Sequence, residues 1–451
     1  MAYNQREEVI WPRLVANKCF KRPMGNSSFV ADLSSRDKAR SALPDDQPIA
    51  KRPQESNKNP ITYRLFASTW NVGGIIPPDD LNLEDWLDTR NNSHDIYVLG
   101  FQEIVPLSCT NVLGPEKSKI TMKWNSLIRA TLNKSLSNSQ KEQESKAGER
   151  QKVYPVKNAS SSSFVQDFRC IISKQMVGIL VSVWVRGDLH RYILRTSVSC
   201  VGCGLMGCLG NKGAISVRFW LHETSFCFVC CHLTSGGREG DEVYRNSDAM
   251  EILSRTTFPR GHSLNLPQKI LDHDRVVLLG DLNYRISLPE SRTRSLVERK
   301  EWKALLDNDQ LRGEVNSGRA FEGWQEGVIT FSPTYKYFPN SDTYYDIQGK
   351  KGKKKRAPAW CDRILWTGRG LKQMYYNRCE SKLSDHRPVR ALFYVDVDAP
   401  RNLNSLRSFF LSNRFEKLMI NHGEDFTEDD QKASVLLLWW FGQRLYTIFC
   451  V

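Results

Sequence analysis

The stretch Leu279-Gly280-Asp281-Leu282-Asn283-Tyr284-Arg285 puts a carboxylate and a carboxamide at the end of an apolar run. Asp281 and Asn283 are two apart, so in an extended chain they share one side. Asp281 could accept a proton from water, and Asn283 could orient that carboxylate or bind a phosphate. The apolar residues before them would exclude water and strengthen such contacts. Other short runs carry similar chemistry. Asn71, followed by Gly73 and Gly74, ends a strand-like run and could bond a phosphate or hold a carboxylate. Glu103 follows another such run and offers the hard oxygen that magnesium takes, or is a solvated loop residue. His232 ends a third, beside small polar residues, and could donate to a phosphoryl oxygen or be structural. Gly210-Asn211-Lys212-Gly213 precedes a strand. Asp385 and His386 pair a metal or phosphate contact with an imidazole that Asp362 could hold charged. Cys231 and Arg238 have six residues between them, one too many for the phosphate loop of a cysteine-nucleophile phosphatase.

The elements that position these groups are legible as apolar runs. Strands are expected at 63–70, 95–101, 169–173, 177–185, 215–220, 226–233, 276–280, 363–366 and 389–397. Helices are expected at 120–136, 241–258 and 291–311. Strands outnumber helices and often follow one another directly. That favours an α+β sandwich of two sheets flanked by helices over βαβ alternation.

The chain of 451 residues allows one large domain with tails, or two domains. Its net charge of +14 suits nucleic acid, an anionic membrane or a polyanionic small molecule, or a solvated basic surface. Part of that charge is concentrated in Lys350-Lys351-Gly352-Lys353-Lys354-Lys355-Arg356. Residues 1–58 are polar and are expected as a disordered tail, and 137–163 as a flexible insertion. The first residues lack the apolar segment of a secretory leader, so the twelve cysteines are expected reduced. Cys200/Cys203 and Cys227/Cys230 have zinc-ribbon spacing, but read better as small buried hydrophobes. Residues 399–451 form a C-terminal tail. Its apolar end, 434–451, approaches a membrane span but carries Gln443 and Arg444 in its middle. A packed helix, a membrane-seeking tail and an end foreign to the core domain all fit it, since a central Arg costs roughly 2.5–3.5 kcal/mol on insertion.

In this order, Asn71, Glu103, His232, Asp281 with Asn283, and Asp385 with His386 resemble the endonuclease–exonuclease–phosphatase superfamily. Within it, 279–286 and 356–365, with 333–337 upstream, are similar to the inositol polyphosphate 5-phosphatases. Residues 173–178 and 230–236 resemble the plant branch, type I in particular. The resemblance covers about residues 60–397. It implies a DNase I-like four-layer sandwich over a catalytic domain at 59–398. It also implies Mg²⁺-dependent release of the 5-phosphate from inositol polyphosphates (inositol 1,4,5-trisphosphate, inositol 1,3,4,5-tetrakisphosphate) or phosphoinositides (phosphatidylinositol 4,5-bisphosphate), as part of phosphoinositide signalling.

By the same resemblance Glu103 holds Mg²⁺ with Asn71 nearby. Asp281 activates water beside Asn283, His232 and His386 contact the scissile phosphate, Asp385 lies beside metal and phosphate, and Asp362 orients His386. Tyr335, Lys336, Lys354 and Arg356 meet the neighbouring 4-phosphate, and Asn211 and Arg285 add substrate contacts. A nuclease of the same superfamily and an inactive phosphoinositide-binding scaffold are the alternatives, and nucleic acid is not the expected partner. The expected location is cytoplasmic, with peripheral plasma-membrane contact or a nuclear site as variants. The family often has an aromatic residue where this chain has Leu278, so altered core packing with retained chemistry is expected there.

Overall fold

The computed structural model describes residues 29–32, 60–90, 94–114, 116, 118–134, 167–204, 207, 209–260, 266–346 and 356–399. In chain order the elements are β1 (Pro60–Asn71), α1 (Glu84–Leu87), β2 (Ile96–Gln102), α2 (Cys109–Leu113), α3 (Ser118–Leu132), β3 (Phe168–Met176) and β4 (Ile179–Arg186). There follow β5 (Ile193–Gly202), β6 (Gly213–Leu221), β7 (Thr224–His232), α4 (Asp241–Arg255), β8 (Arg275–Asp281), α5 (Glu290–Glu298), α6 (Trp302–Leu306) and α7 (Gln310–Asn316). The last strands are β9 (Gln325–Glu326), β10 (Asp362–Thr367), β11 (Leu371–Arg378) and β12 (Val389–Asp398).

The strands form two six-stranded sheets, ordered β11-β12-β1-β2-β4-β3 and β5-β6-β7-β8-β10-β9. Strand alternation explains the layering. On β1, Leu65 and Ala67 face the second sheet, while Phe66 and Trp70 face outward onto Trp124 and Ile128 of α3. On β7, Phe228 and Cys230 face inward, and Cys227, Val229 and Cys231 face outward with Ala249 and Ile252 of α4. Helix, sheet, sheet and helix therefore stack as the expected four-layer α+β sandwich. Leu278 lies in the outer layer over the second sheet. The sheets meet closely at Gly100, where a Cβ would sit 2.2 Å from Leu279 Cδ1.

Each sheet contains one parallel pair, β1 with β2 and β7 with β8. Those pairs end together: Asn71 is opposite Gln102, and His232 is opposite Asp281. Strand β10 runs antiparallel to β8, so its first residue Asp362 is also opposite Asp281. Strand β12 runs antiparallel to β1, which brings the preceding Asp385 and His386 to the same end. The topology thus gathers chemistry scattered over 300 residues of sequence.

The structure departs from expectation at one helix, at two strands and in the N-terminal tail. The helix expected at 291–311 is three short helices. Lys300 takes a left-handed φ of 57° after α5, and the Asp309 side chain caps α7 by accepting from Arg312 N at 3.0 Å. Strands β5 and β11 were not expected, because they lie at or next to sheet edges and alternate polar residues. Four residues of the segment expected as a tail are ordered on an edge: Val30 bridges Ser173 of β3, and Asp32 takes both Arg129 nitrogens at 2.6 and 2.9 Å. Each Cys-x-x-Cys pair splits across its sheet: Cys200 and Cys230 pack in the inter-sheet core, Cys203 and Cys227 in the outer layer. A spacing of three on a strand cannot point both thiols at one ion. The rest of the N-terminal tail, the 137–163 insertion, Lys354 and residues 400–451 lie outside the described residues.

Candidate active site

Asp281 is the hub. Its Oδ2 accepts from Asn71 Nδ2 at 2.9 Å and lies 3.4 Å from His232 Nε2, while Oδ1 accepts from the Asn283 backbone N–H at 3.1 Å. Asn283 is held in turn, donating through Nδ2 to Leu233 O at 3.1 Å and accepting from Arg285 Nη2 at 2.6 Å. Two local features set the Asp281 carboxylate. Gly280 lets the strand pass close to β7, since a Cβ there would lie 2.1 Å from Cys231 O. Asn283 adopts φ 58°, a left-handed turn that asparagine tolerates better than most residues.

Glu103 also has a left-handed φ, 54°. This turns its carboxylate back over the strand ends, with Oε1 3.4 Å from Asn71 Nδ2 and 3.8 Å from His232 Nε2. Asn71 Oδ1 accepts from Gly73 N at 3.0 Å. A half-buried carboxylate beside a carboxamide is a donor set that suits a hard divalent cation. Asp281, Asp362 and His386 also place one donor atom each within 4.8 Å of one another. That trio is a poorer metal site, because His386 Nδ1 is committed to Asp362 Oδ2 at 2.9 Å.

The electrostatics separate the two histidines. Burial opposes charge on His386, but the carboxylates of Asp362, Asp281 and Asp385 outweigh it and raise its pKa to about 9. Thr334 Oγ1 steadies Asp362 by donating to Oδ2 at 2.6 Å. His232 is shifted the other way: burial and the neighbouring Lys212 ammonium favour its neutral form. Burial also opposes ionisation of Asp281, yet His232, His386 and Lys212 together hold its carboxyl well below the usual carboxylate range. At neutral pH the site therefore pairs a carboxylate with an imidazolium.

The 333–337 segment threads between two other pieces of the site. Tyr335 pairs with Ala359 and His386, and Tyr337 N donates to Asp385 O at 2.9 Å. The Tyr335 ring centroid lies 4.6 Å from that of His386, and the Arg285 guanidinium lies 4.6 Å from the Tyr335 ring centroid. Tyr335 is thus buried among site residues, and Arg285 braces Asn283 and Tyr335. Lys336 reaches Asp385 Oδ2 at 2.5 Å, and its ammonium lies 5.5 Å from the Tyr335 ring and 5.6 Å from that of Tyr345. Burial disfavours the Lys336 charge, but Asp385 more than restores it. Arg356 is near enough for its charge to act on Lys336 and Tyr335. Asn211 sits in the turn before β6, at the His232 end, with Oδ1 buried and unpartnered among the described residues.

The residue that sequence reasoning passed over is Lys212. Its Nζ lies 2.5 Å from His232 Nε2. The available signal was its place in Gly210-Asn211-Lys212-Gly213, where only the asparagine was singled out. Cys231 offers no competing nucleophile: burial pushes its thiol up, and it faces the outer layer, away from the site.

Comparison with known proteins matches this arrangement. The family described as Endonuclease/Exonuclease/phosphatase family 2 fits residues 68–392. Type IV inositol polyphosphate 5-phosphatase 9 of Arabidopsis thaliana is 57% identical over 417 residues, spanning 90% of this chain and 96% of that protein. Type I inositol polyphosphate 5-phosphatase 8 of the same plant is 49% identical over 351 residues, or 76% of this chain and 73% of that one. Among solved structures, the inositol polyphosphate 5-phosphatase domain of SPsynaptojanin, in complex with inositol (1,4)-bisphosphate and calcium ion, superposes with a TM-score of 0.61. That match has 28% identity and covers 81% of this chain and 94% of the domain. Sequence, fold and the gathered strand ends agree, and the chain belongs to the inositol polyphosphate 5-phosphatase family.

Proposed function

We propose that the chain is a Mg²⁺-dependent phosphatase that removes the 5-phosphate from an inositol ring bearing a neighbouring 4-phosphate. The observation that carries this reading is one cluster: the Asp281 carboxylate near the His386 imidazolium, with Asp385 acting on His386 and holding Lys336, and Arg356 near enough to act on Lys336. Inositol 1,4,5-trisphosphate, inositol 1,3,4,5-tetrakisphosphate and the headgroup of phosphatidylinositol 4,5-bisphosphate all present that pair of phosphates.

Asp281, oriented by Asn71 and Asn283, takes the proton of the attacking water. Its basicity is low in the free protein, and the negative charge of an incoming phosphate raises it. His386 is charged, and with Nδ1 donating to Asp362 it keeps Nε2–H for a phosphoryl oxygen. Glu103 and Asn71 would hold the cation, which when bound offsets charge on the phosphoryl and leaving oxygens. Lys336 and Arg356, with Lys354, bind the 4-phosphate and so select which ester is aligned. Supporting this reading, the two Arabidopsis relatives are named as inositol polyphosphate 5-phosphatases. The solved relative holds a ring with phosphates at positions 1 and 4, the product that this reaction leaves from the trisphosphate.

Phosphate release from inositol 1,4,5-trisphosphate, with and without Mg²⁺ and beside a plasmid-nicking assay, tests the reading. Mg²⁺-dependent release without nicking is expected, and nicking without release would overturn it. Among the described residues no helix is long and apolar enough to cross a membrane. As part of this proposal, a lipid substrate would be met by peripheral contact from the cytoplasmic side. Vesicle sedimentation of the full chain tests this point.

A further inference from the structure

We propose that Arg378, the last residue of β11, is a positioning residue for specificity: it keys the 333–345 segment so that Lys336 is held where a 4-phosphate meets it. The inference rests on the 4-phosphate reading above and adds a residue which that reading does not use.

The segment is fixed at two ends by unlike contacts. At the catalytic end, Tyr335 pairs with Ala359 and His386, and Thr334 Oγ1 donates to Asp362 Oδ2 at 2.6 Å. Beyond Lys336 the chain doubles back: Phe338 N donates to Thr343 O at 3.0 Å, and Tyr345 N to Lys336 O at 2.7 Å. Lys336 therefore sits at the base of a small hairpin, between the two anchors. A long side chain tells neighbouring phosphates apart only if its backbone is fixed to within about 0.5 Å.

The far anchor converges on Arg378. Its Nη1 donates to Pro333 O at 2.9 Å, to Ser332 O at 3.3 Å and to the Tyr337 hydroxyl. The hydroxyls of Tyr337 and Tyr344 donate to the same Pro333 O at 3.0 and 2.8 Å, and their rings stack 4.3 Å apart. One guanidinium nitrogen thus ties the start of the segment to the two tyrosines that flank the hairpin. The buried Tyr337 ring also lies 3.9 Å from the Arg387 guanidinium, which holds the ring from another side.

Arg378 is itself aimed. Its Nε and Nη2 donate to Glu380 Oε1 and Oε2 at 2.8 and 3.0 Å. This forked pair fixes the guanidinium plane and leaves Nη1 for the segment. Among the described residues, none of the hydrogen bonds of the Arg378 side chain goes to Asp281, Asp385, His386 or Lys336. Its influence on substrate therefore runs through the segment that carries Lys336.

The test measures kcat/KM with Mg²⁺ on inositol 1,4,5-trisphosphate and on a ring phosphorylated at positions 1 and 5 only. Wild type should prefer the trisphosphate. Arg378→Met should lower that preference about tenfold or more, chiefly through a raised KM for the trisphosphate. Arg378→Lys, which keeps a donor for the Pro333 carbonyl, should recover part of it. A readout without turnover is calorimetric binding of inositol 1,4-bisphosphate against inositol 1-phosphate: in Arg378→Met the first should weaken more than the second. Tyr337→Phe removes one hydroxyl from the same knot and should lower the preference less, so it decides the matter if Arg378→Met does not fold. Equal losses on both substrates, or a Tyr337→Phe variant with the wild-type preference, would overturn the proposal, as would no recovery in Arg378→Lys. A wild type that prefers the trisphosphate, with Arg378→Met preferring it as strongly, overturns this assignment alone. A wild type without that preference overturns the 4-phosphate reading and the role of Arg378 with it.

Discussion

Replacing Asp362 with Asn is the sharpest perturbation of the site. It keeps the shape of a side chain that is fully buried and removes the charge contacting His386 Nδ1 at 2.9 Å. In the wild type His386 is raised from 6.5 to about 9. That difference corresponds to about 3 kcal/mol favouring the imidazolium, at 1.36 kcal/mol for each tenfold change. In Asp362→Asn, burial works against the charge and only the more distant carboxylates of Asp281 and Asp385 support it. The pKa then falls toward or below 6.5. At pH 7.5 a group titrating near 9 is about 97% charged, and one titrating near 6.5 about 10%. If the charged ring donates to phosphate, kcat/KM at pH 7.5 drops about tenfold from protonation alone, and further because the ring loses its anchor. The sign is fixed: activity needing the protonated form is lost as pH rises, so the alkaline limb of the kcat/KM profile moves down from near 9. The profile of the free enzyme, with NMR titration of the His386 ring, checks this. An unmoved alkaline limb, or a ring titrating as in the wild type, would refute the reasoning.

Other outcomes follow from the same geometry. Glu103→Gln should raise the Mg²⁺ concentration for half-maximal activity by about tenfold or more, and an unchanged Mg²⁺ titration would remove Glu103 from the metal. Lys336→Ala and Arg356→Ala should each lower the preference for a 4,5-bisphosphorylated ring over one with only the 5-phosphate by about tenfold or more; the ratio of kcat/KM values for the two substrates measures it. Gly280→Ala forces a methyl to within 2.1 Å of the Cys231 carbonyl oxygen. It should cost about 1–3 kcal/mol of stability, seen in chemical denaturation, and a neutral substitution would mean that the β7–β8 approach is looser than described.

What the sequence made legible was the buried centre of each sheet. Runs such as Val276 to Leu279 are apolar on both faces because one side packs on the opposing sheet and the other on a helix. The outer strands escaped notice for the opposite reason. Strand β11 carries Lys372, Met374 and Tyr375 toward solvent, and pairs along one side only, with β12. The split of the 291–311 helix was hidden because Asp309 serves two distant roles, capping α7 and pairing with the buried Arg363. Within the site, strand-end residues could be named from their order, but not their partners. The contact of Asn71 with Asp281 spans 210 residues, and that of Lys336 with Asp385 spans 49. Arg285 and Tyr335, expected at the substrate, also support Asn283 and His386. Lys212 was missed because an ordinary turn lysine gains its meaning only when β6 pairs with β7.

The most direct measurement of the central claim is the identity of the ring product. Inositol 1,4,5-trisphosphate is incubated with the wild-type chain and Mg²⁺, with Asp281→Asn as the matched control, and the isomer formed is assigned by phosphorus NMR. The account predicts inositol 1,4-bisphosphate and one equivalent of inorganic phosphate from the wild type, and none from Asp281→Asn. Loss of the 1- or 4-phosphate, or turnover that survives Asp281→Asn, would contradict it.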